Sequence, residues 1–273
     1  MQRLWLTPMF RGLLRIGLPI VLAVAGVVIY LGDEGRRDAI ATYAADMRVK
    51  FENRPEFMVK MMAIDGASSP VADAIRGLLP VGLPASSFVI DLEALRAAIK
   101  NIDAVADAAI TIRAGGVLSV DVTERQPAIL WRTATSLEML DAEGHRVATL
   151  MDRSARPDLP VIAGEGAEAQ VPEALAILTA AQPILPRVRG LVRMGERRWD
   201  IVLDRDQRIL LPQTDPVEAV QHAMAIDASE LLFARDMAAL DLRNAARPTL
   251  RVTPQAIEDM KEITKNETKV AGQ

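Results

Sequence analysis

His145 and His222 are the only histidines in 273 residues, and cysteine is absent. Thiolate nucleophiles, thiolate metal sites and disulfide staples are therefore excluded. No HExxH sets two imidazoles beside a glutamate, and no Asp/Glu/His cluster with metal-ligand spacing stands out near either histidine. His145 follows a turn glycine and His222 takes a polar position in a helical stretch, so both read as ordinary surface imidazoles. No GxSxG raises a serine on a strand-to-helix elbow. Gly164-Glu165-Gly166 is a lone GxG with no following glycine or lysine, and reads as a loop, not as a phosphate cradle. Acids are numerous, but no spacing selects two of them as an acid/base pair. The residue types point away from catalysis, and no cofactor, metal or small-molecule ligand is expected.

Main-chain chemistry remains. Leu240-Asp241-Leu242-Arg243 and Thr249-Leu250-Arg251-Val252-Thr253 both read as strands, with Pro248 ending the connection between them. A last strand presents a row of free N–H and C=O groups. Arg247, Pro248 and Arg251 are residues that guard such an edge. The same edge can accept a strand from another protein, with main-chain hydrogen bonds for affinity and Leu250 and Val252 for register. The candidate binding residues are thus Asp241, Leu242, Arg243, Thr249, Leu250, Arg251, Val252 and Thr253. Trp131 and Trp199, with Met58, Met61 and Met62, read as core.

The elements before this edge form a β-rich α+β module over residues 126–254. Ala128–Trp131 is strand-like, and Met139–Val147 reads as strand, turn, strand about Gly144. Pro172 opens a helix with Ala174, Ile177, Leu178 and Ala181 on one face. Trp199, Ile201 and Leu203 alternate along a strand, the chain turns over Asp204–Gln207, and Ile209–Leu211 returns. Asp215-Pro216-Val217-Glu218 opens a second helix with Asp215 as cap. Residues 255–273 are charged and apolar-poor, and read as a flexible tail with a short helix near Ile257–Ile263.

A smaller module precedes it over 57–125. Phe57 to Gly66 reads as one strand. Ser68/Ser69-Pro70 starts a helix whose face is Val71, Ile75, Leu78 and Leu79. Asp91 caps a second helix with Leu92, Leu95, Ile99 and Ile102 together. Ala109–Arg113 and Val117–Thr123 form a hairpin about Ala114-Gly115-Gly116, with Leu118, Val120 and Val122 on one side and Ser119, Asp121 and Thr123 on the other. The order is strand, helix, helix, strand, strand.

At the start, Ile16 to Gly32 carries no charge over roughly 17 residues, a helix of about 25 Å. With Leu13 and Leu14 it reads as a transmembrane helix over 13–32. Arg3, Arg11 and Arg15 precede it and Asp33 and Glu34 follow, so residues 1–12 are expected to be a cytoplasmic tail and the rest to lie outside. Ala23-Val24-Ala25 matches a signal-peptidase site, but the apolar run continues through Leu31, which favours an uncleaved anchor. Residues 33–56 read as a helical linker. The net charge of −4, without a Lys/Arg block, argues against nucleic acid as a partner.

The β-α-α-β-β order and the hairpin leading into Glu124-Arg125-Gln126-Pro127-Ala128 resemble a POTRA domain. The chain as a whole resembles the FtsQ/DivIB family of bacterial cell-division proteins. The resemblance rests on the basic tail, the single anchor, Val120–Ala128 followed by Trp131, the Leu159-Pro160 to Gly164 step, and Asp241-Leu242-Arg243. It implies a non-enzymatic divisome scaffold in the inner membrane at the septum, with periplasmic domains whose last strand docks FtsB held with FtsL. A POTRA-bearing protein of envelope transport or assembly is the alternative. The chain departs from the family's pattern in Ala114-Gly115-Gly116, in its short tail, and in the missing aromatic after Arg243.

Overall fold

The computed structural model describes residues 15, 17–79, 82–244 and 246–258. The expected tail (1–12), the C-terminal segment beyond residue 258 and part of the expected span lie outside these. The chain divides into two compact units. One comprises Met1–Ala63, Leu79–Leu95 and Ile110–Val120, the other Ile64–Leu78, Arg96–Ala109 and Asp121–Gln273.

The apolar stretch forms helix α1 (Leu18–Leu31), and α2 (Glu34–Glu52) follows after a break. Asp33 makes the break: its backbone is extended, and its carboxylate accepts the Gly35 N–H at 3.0 Å, starting a new helix. Among the described residues no helix is long and apolar enough to cross a membrane. α1 is apolar but has 14 residues, about 21 Å, and α2 carries eight charged residues.

The single strand expected from Phe57 to Gly66 is instead two. β1 (Met58–Val59) pairs antiparallel with β3 (Ala85–Ser86), and β2 (Met61–Asp65) joins another sheet. The break falls at Lys60, whose N–H bonds the Gly116 carbonyl at 2.7 Å. Gly116 has φ +78°, and a Cβ there would sit 2.2 Å from the Met58 carbonyl oxygen, so only glycine permits this approach. Then come α3 (Ser69–Gly77), α4 (Leu92–Lys100), β4 (Val105–Arg113) and β5 (Val117–Glu124), with a three-stranded sheet in the order β2-β5-β4. Val71, Ile75, Leu95, Ile99, Leu118, Val120 and Val122 are buried as their spacing requires. Two positions differ: α3 stops at Gly77 and leaves Leu78 exposed, and Ser119 is fully buried. Asp91 caps α4 by accepting the Ala94 N–H at 3.0 Å. Ser68 occupies the cap of α3 without capping it, because its N–H and Oγ–H both go to Glu124, at 2.6 and 2.7 Å.

The largest sheet has nine strands: β6 (Ile129–Arg132), β7 (Leu137–Leu140), β8 (Arg146–Leu150), β9 (Val161–Ala163), β10 (Val188–Met194), β11 (Arg198–Leu203), β12 (Arg208–Leu210), β13 (Met237–Asp241) and β14 (Thr249–Val252). Their order is β14-β13-β12-β11-β10-β9-β6-β7-β8. Pairing is antiparallel except at β9–β10, β6–β9 and β12–β13. Helices α5 (Val171–Ala180) and α6 (Pro216–Glu230) supply Ile177, Leu178, Val220 and Met224 to a core shared with Trp199, Ile201, Leu203, Ile209 and Leu240. Asp215 stands at the start of α6 but does not cap it. Its φ/ψ of 53°/47° is left-handed, and its side chain makes no capping hydrogen bond, which needs an extended residue.

β10, a central strand, has no counterpart in the sequence reading. Arg189 and Arg193 break its apolar run, yet the Arg193 side chain is only 9% exposed. Its guanidinium donates to Glu173 at 2.7 Å and lies over the Trp199 ring, 5.1 Å from the centroid. Glu173 also accepts the Trp199 indole N–H at 2.8 Å. One carboxylate in the first turn of α5, at the positive end of that helix, thus neutralises a buried cation and satisfies a buried indole.

Candidate functional site

β14 is the outermost strand of the large sheet and pairs only with β13. The register sets Asp241 opposite Thr249, Leu240 opposite Leu250, and Ala239 opposite Arg251. Thr253 N–H bonds the Asp236 carbonyl at 3.2 Å. By the two-residue alternation of a strand, the main-chain groups of Thr249 and Arg251 therefore face β13, and those of Leu250 and Val252 face the open edge. Thr249, Leu250 and Arg251 are exposed, and Val252 and Thr253 half-buried.

The Asp241-Leu242-Arg243 segment divides in its roles. Leu242 is buried in the core, and its N–H bonds the Leu210 carbonyl at 2.9 Å. Asp241 and Arg243 pair with each other in a two-pronged bridge, Nε–Oδ1 at 2.9 Å and Nη2–Oδ2 at 2.6 Å. That bridge holds the Asp241 carboxyl below its ordinary range. An i,i+2 acid–base pair on one face of an extended segment was the signal for it. A cleft of about 780 Å³ lies beside this segment, lined by Pro212, Asp215, Glu218 and His222 on one side and Arg243 and Pro248 on the other. His222 is exposed.

The register runs Asp200, Leu210, Asp241 and Thr249 across β11 to β14. Asp200 is 2% exposed. Its Oδ1 has no hydrogen-bond partner, and the nearest cation, Arg198 Nε, is 3.7 Å away. Burial raises its carboxyl above the usual range, against the pull of Arg198, Arg208 and Arg243, while Asp241 pushes it further up. An acid with a raised folded pKa favours the native state when protonated, and this favour is lost as pH rises through the carboxylate range. Asp200→Asn is therefore expected to stabilise the protein by about 1 kcal/mol at neutral pH. In thermal unfolding the gain should shrink toward zero below the pKa of an exposed carboxylate. A loss of stability at neutral pH would show that Asp200 earns its burial as an anion.

Contrary to the sequence reading, a cluster with ligand spacing does form. The donor atoms of Asp141, Glu143 and His145 lie within 4.8 Å of one another. Asp141 is already occupied, accepting from Arg125 at 2.7 Å and from the Glu143 and His145 N–H groups at 3.1 and 2.7 Å. It shapes the turn about Gly144 and ties the Glu124-Arg125 segment to β7 and β8. Trp199 is fully buried. Trp131 is half-buried and donates to the Gly164 carbonyl at 3.3 Å.

Residues 129–243 match the family model described as "Cell division protein FtsQ/DivIB, C-terminal". Over 256 residues the chain is 56% identical to "Cell division protein FtsQ" of Cereibacter sphaeroides, covering 94% of this chain and 83% of that one. The chain belongs to the FtsQ/DivIB family. FtsQ of Paracoccus denitrificans is 50% identical over 257 residues, covering 94% and 75% of the two chains. FtsQ of Dinoroseobacter shibae is 44% identical over 257 residues, covering 94% and 86%. The work of this FtsQ/DivIB protein therefore lies in cell division. The family match opens at β6 and closes at Arg243, and β14 begins beyond it, at Thr249.

Proposed function

We propose that this chain is a non-enzymatic scaffold of the divisome. It is held in the bacterial inner membrane by α1 and the residues before it, with its N-terminus in the cytoplasm and its folded part in the periplasm at the septum. Residues 57–125 act as a POTRA-like module, and residues 126–254 recruit bitopic partners of the FtsB and FtsL kind. The docking strand is β14 (Thr249, Leu250, Arg251 and Val252) with Thr253 after it, the Asp241–Arg243 bridge beside it and Leu242 as packed support.

The observation that supports this reading best is the position of β14. It ends the large sheet, and the main-chain groups of Leu250 and Val252 are aimed outward. The test joins capture with location. The full chain should co-purify FtsB together with FtsL from solubilised membranes, a fluorescent fusion should gather at midcell, and depletion should give filaments. A uniform envelope signal, with loss of outer-membrane proteins and no filaments, would replace this function with envelope assembly.

A further inference from the structure

α2 has 19 residues, none of them buried. Most helical stability comes from packing an apolar face, so a surface to lie on would hold it. Ile40, Tyr43, Met47 and Phe51 fall on one stripe about 80° wide at 3.6 residues per turn. They are 47%, 69%, 49% and 45% exposed. The charges sort by sign around this stripe. Arg36 lies within the stripe near its start, over the Tyr30 ring at 4.8 Å. Arg37 and Arg48 flank one side and Lys50 the other, within about 95° of its centre, and Glu34, Asp38, Asp46 and Glu52 take the far face, about 105° or more away. Arg48 also reaches back to Glu52 at 2.5 Å.

The apolar surface continues past the helix. The Phe51 ring lies 5.0 Å from that of Phe57 and 6.2 Å from that of Phe88, and Phe57 and Phe88 are 5.2 Å apart. Phe88 and Val89 are exposed, and Arg54 stacks on Phe51 at 5.3 Å. Ser86 Oγ donates to the Glu52 carbonyl at 2.6 Å, which fixes the end of α2 to the β1–β3 ladder. Exposed aromatics bordered by cations, with acids turned away, match an anionic headgroup layer.

We propose that α2 lies along the surface of an anionic phospholipid bilayer, its stripe in the headgroup boundary and its four cations on lipid phosphates. This rests on the reading of α1 as the membrane anchor. The break at Gly32–Asp33 ends α1 and lets the chain change direction there. A second copy of the helix fits the stripe poorly, because pairing stripe to stripe would set the bordering cations against one another.

The absence of cysteine makes the test direct. Single-cysteine variants of the full chain carry a polarity-sensitive fluorophore: Val24→Cys in α1, Tyr43→Cys and Met47→Cys on the stripe, Ala45→Cys and Val49→Cys opposite. Each is reconstituted into vesicles of phosphatidylglycerol with phosphatidylethanolamine, or of phosphatidylcholine alone, with lipid-attached quenchers. In anionic vesicles positions 24, 43 and 47 should be quenched and 45 and 49 should not. In phosphatidylcholine, or with Arg36→Glu and Lys50→Glu together, quenching at 43 and 47 should fall about fivefold or more while position 24 is unchanged. Stripe labels as wet as 45 and 49, with position 24 quenched, overturn this inference and leave the anchor standing. An unquenched position 24 overturns both. Stripe labels shielded yet unquenched in every lipid point to a protein cover and also overturn it.

Discussion

Leu250→Pro is expected to leave the chain folded and to weaken strongly the capture of a partner strand that we propose for β14. The Leu250 N–H faces away from β13, and an edge strand tolerates proline at such a position. An incoming strand would lose that donor and meet the pyrrolidine ring in its ladder. The loss should be about 2–3 kcal/mol, roughly 30- to 100-fold in affinity. Arg251→Pro is the contrasting variant. Its N–H faces β13, so it should damage β14 itself and show as lower stability as well as lost capture. Amide exchange of β13 and β14 separates the two effects. Wild-type capture by folded Leu250→Pro would remove strand addition as the docking mode, whatever else binds there.

Trp199→Ala is expected to cost about 3–5 kcal/mol, the largest effect of one side chain in the β-rich core. The ring is fully buried between the β11 ladder and α5. Its removal leaves a cavity and strips the face on which Arg193 stacks. Trp199→Phe keeps most of the volume and loses the indole N–H to Glu173, so about 1–2 kcal/mol is expected. Glu173→Ala should approach the alanine variant in cost, because it leaves a nearly buried guanidinium without its anion. Urea unfolding of the full chain, followed by circular dichroism, checks the order. If Glu173→Ala were as mild as Trp199→Phe, Arg193 would have another counter-charge.

How much was legible beforehand depended on what held each element. α4, β5, β11 and α5 were readable because a period of 3.6 or 2 put their apolar residues on one side, and Asp91 and Pro172 marked starts. β10 was hidden because Arg193 reads as a surface residue until a glutamate 20 positions earlier is folded against it. The Phe57–Gly66 strand was misread as continuous because its interruption comes from Gly116, distant in the chain. At the candidate edge, the sequence identified β14, but the strand expected at Leu240–Arg243 is β13, Met237–Asp241, and beyond its end Leu242 is core and Arg243 is bound to Asp241.

Read alone, the chain settled its local periodicities and its family resemblance, since these depend on residues near one another or on short motifs. Which strand ends the sheet, which charges are buried together and which main-chain groups face outward were decided only by the tertiary fold. Those properties arise when segments far apart in sequence share one sheet, and the energy of a buried Arg193 or Asp200 is set by partners that no local pattern names.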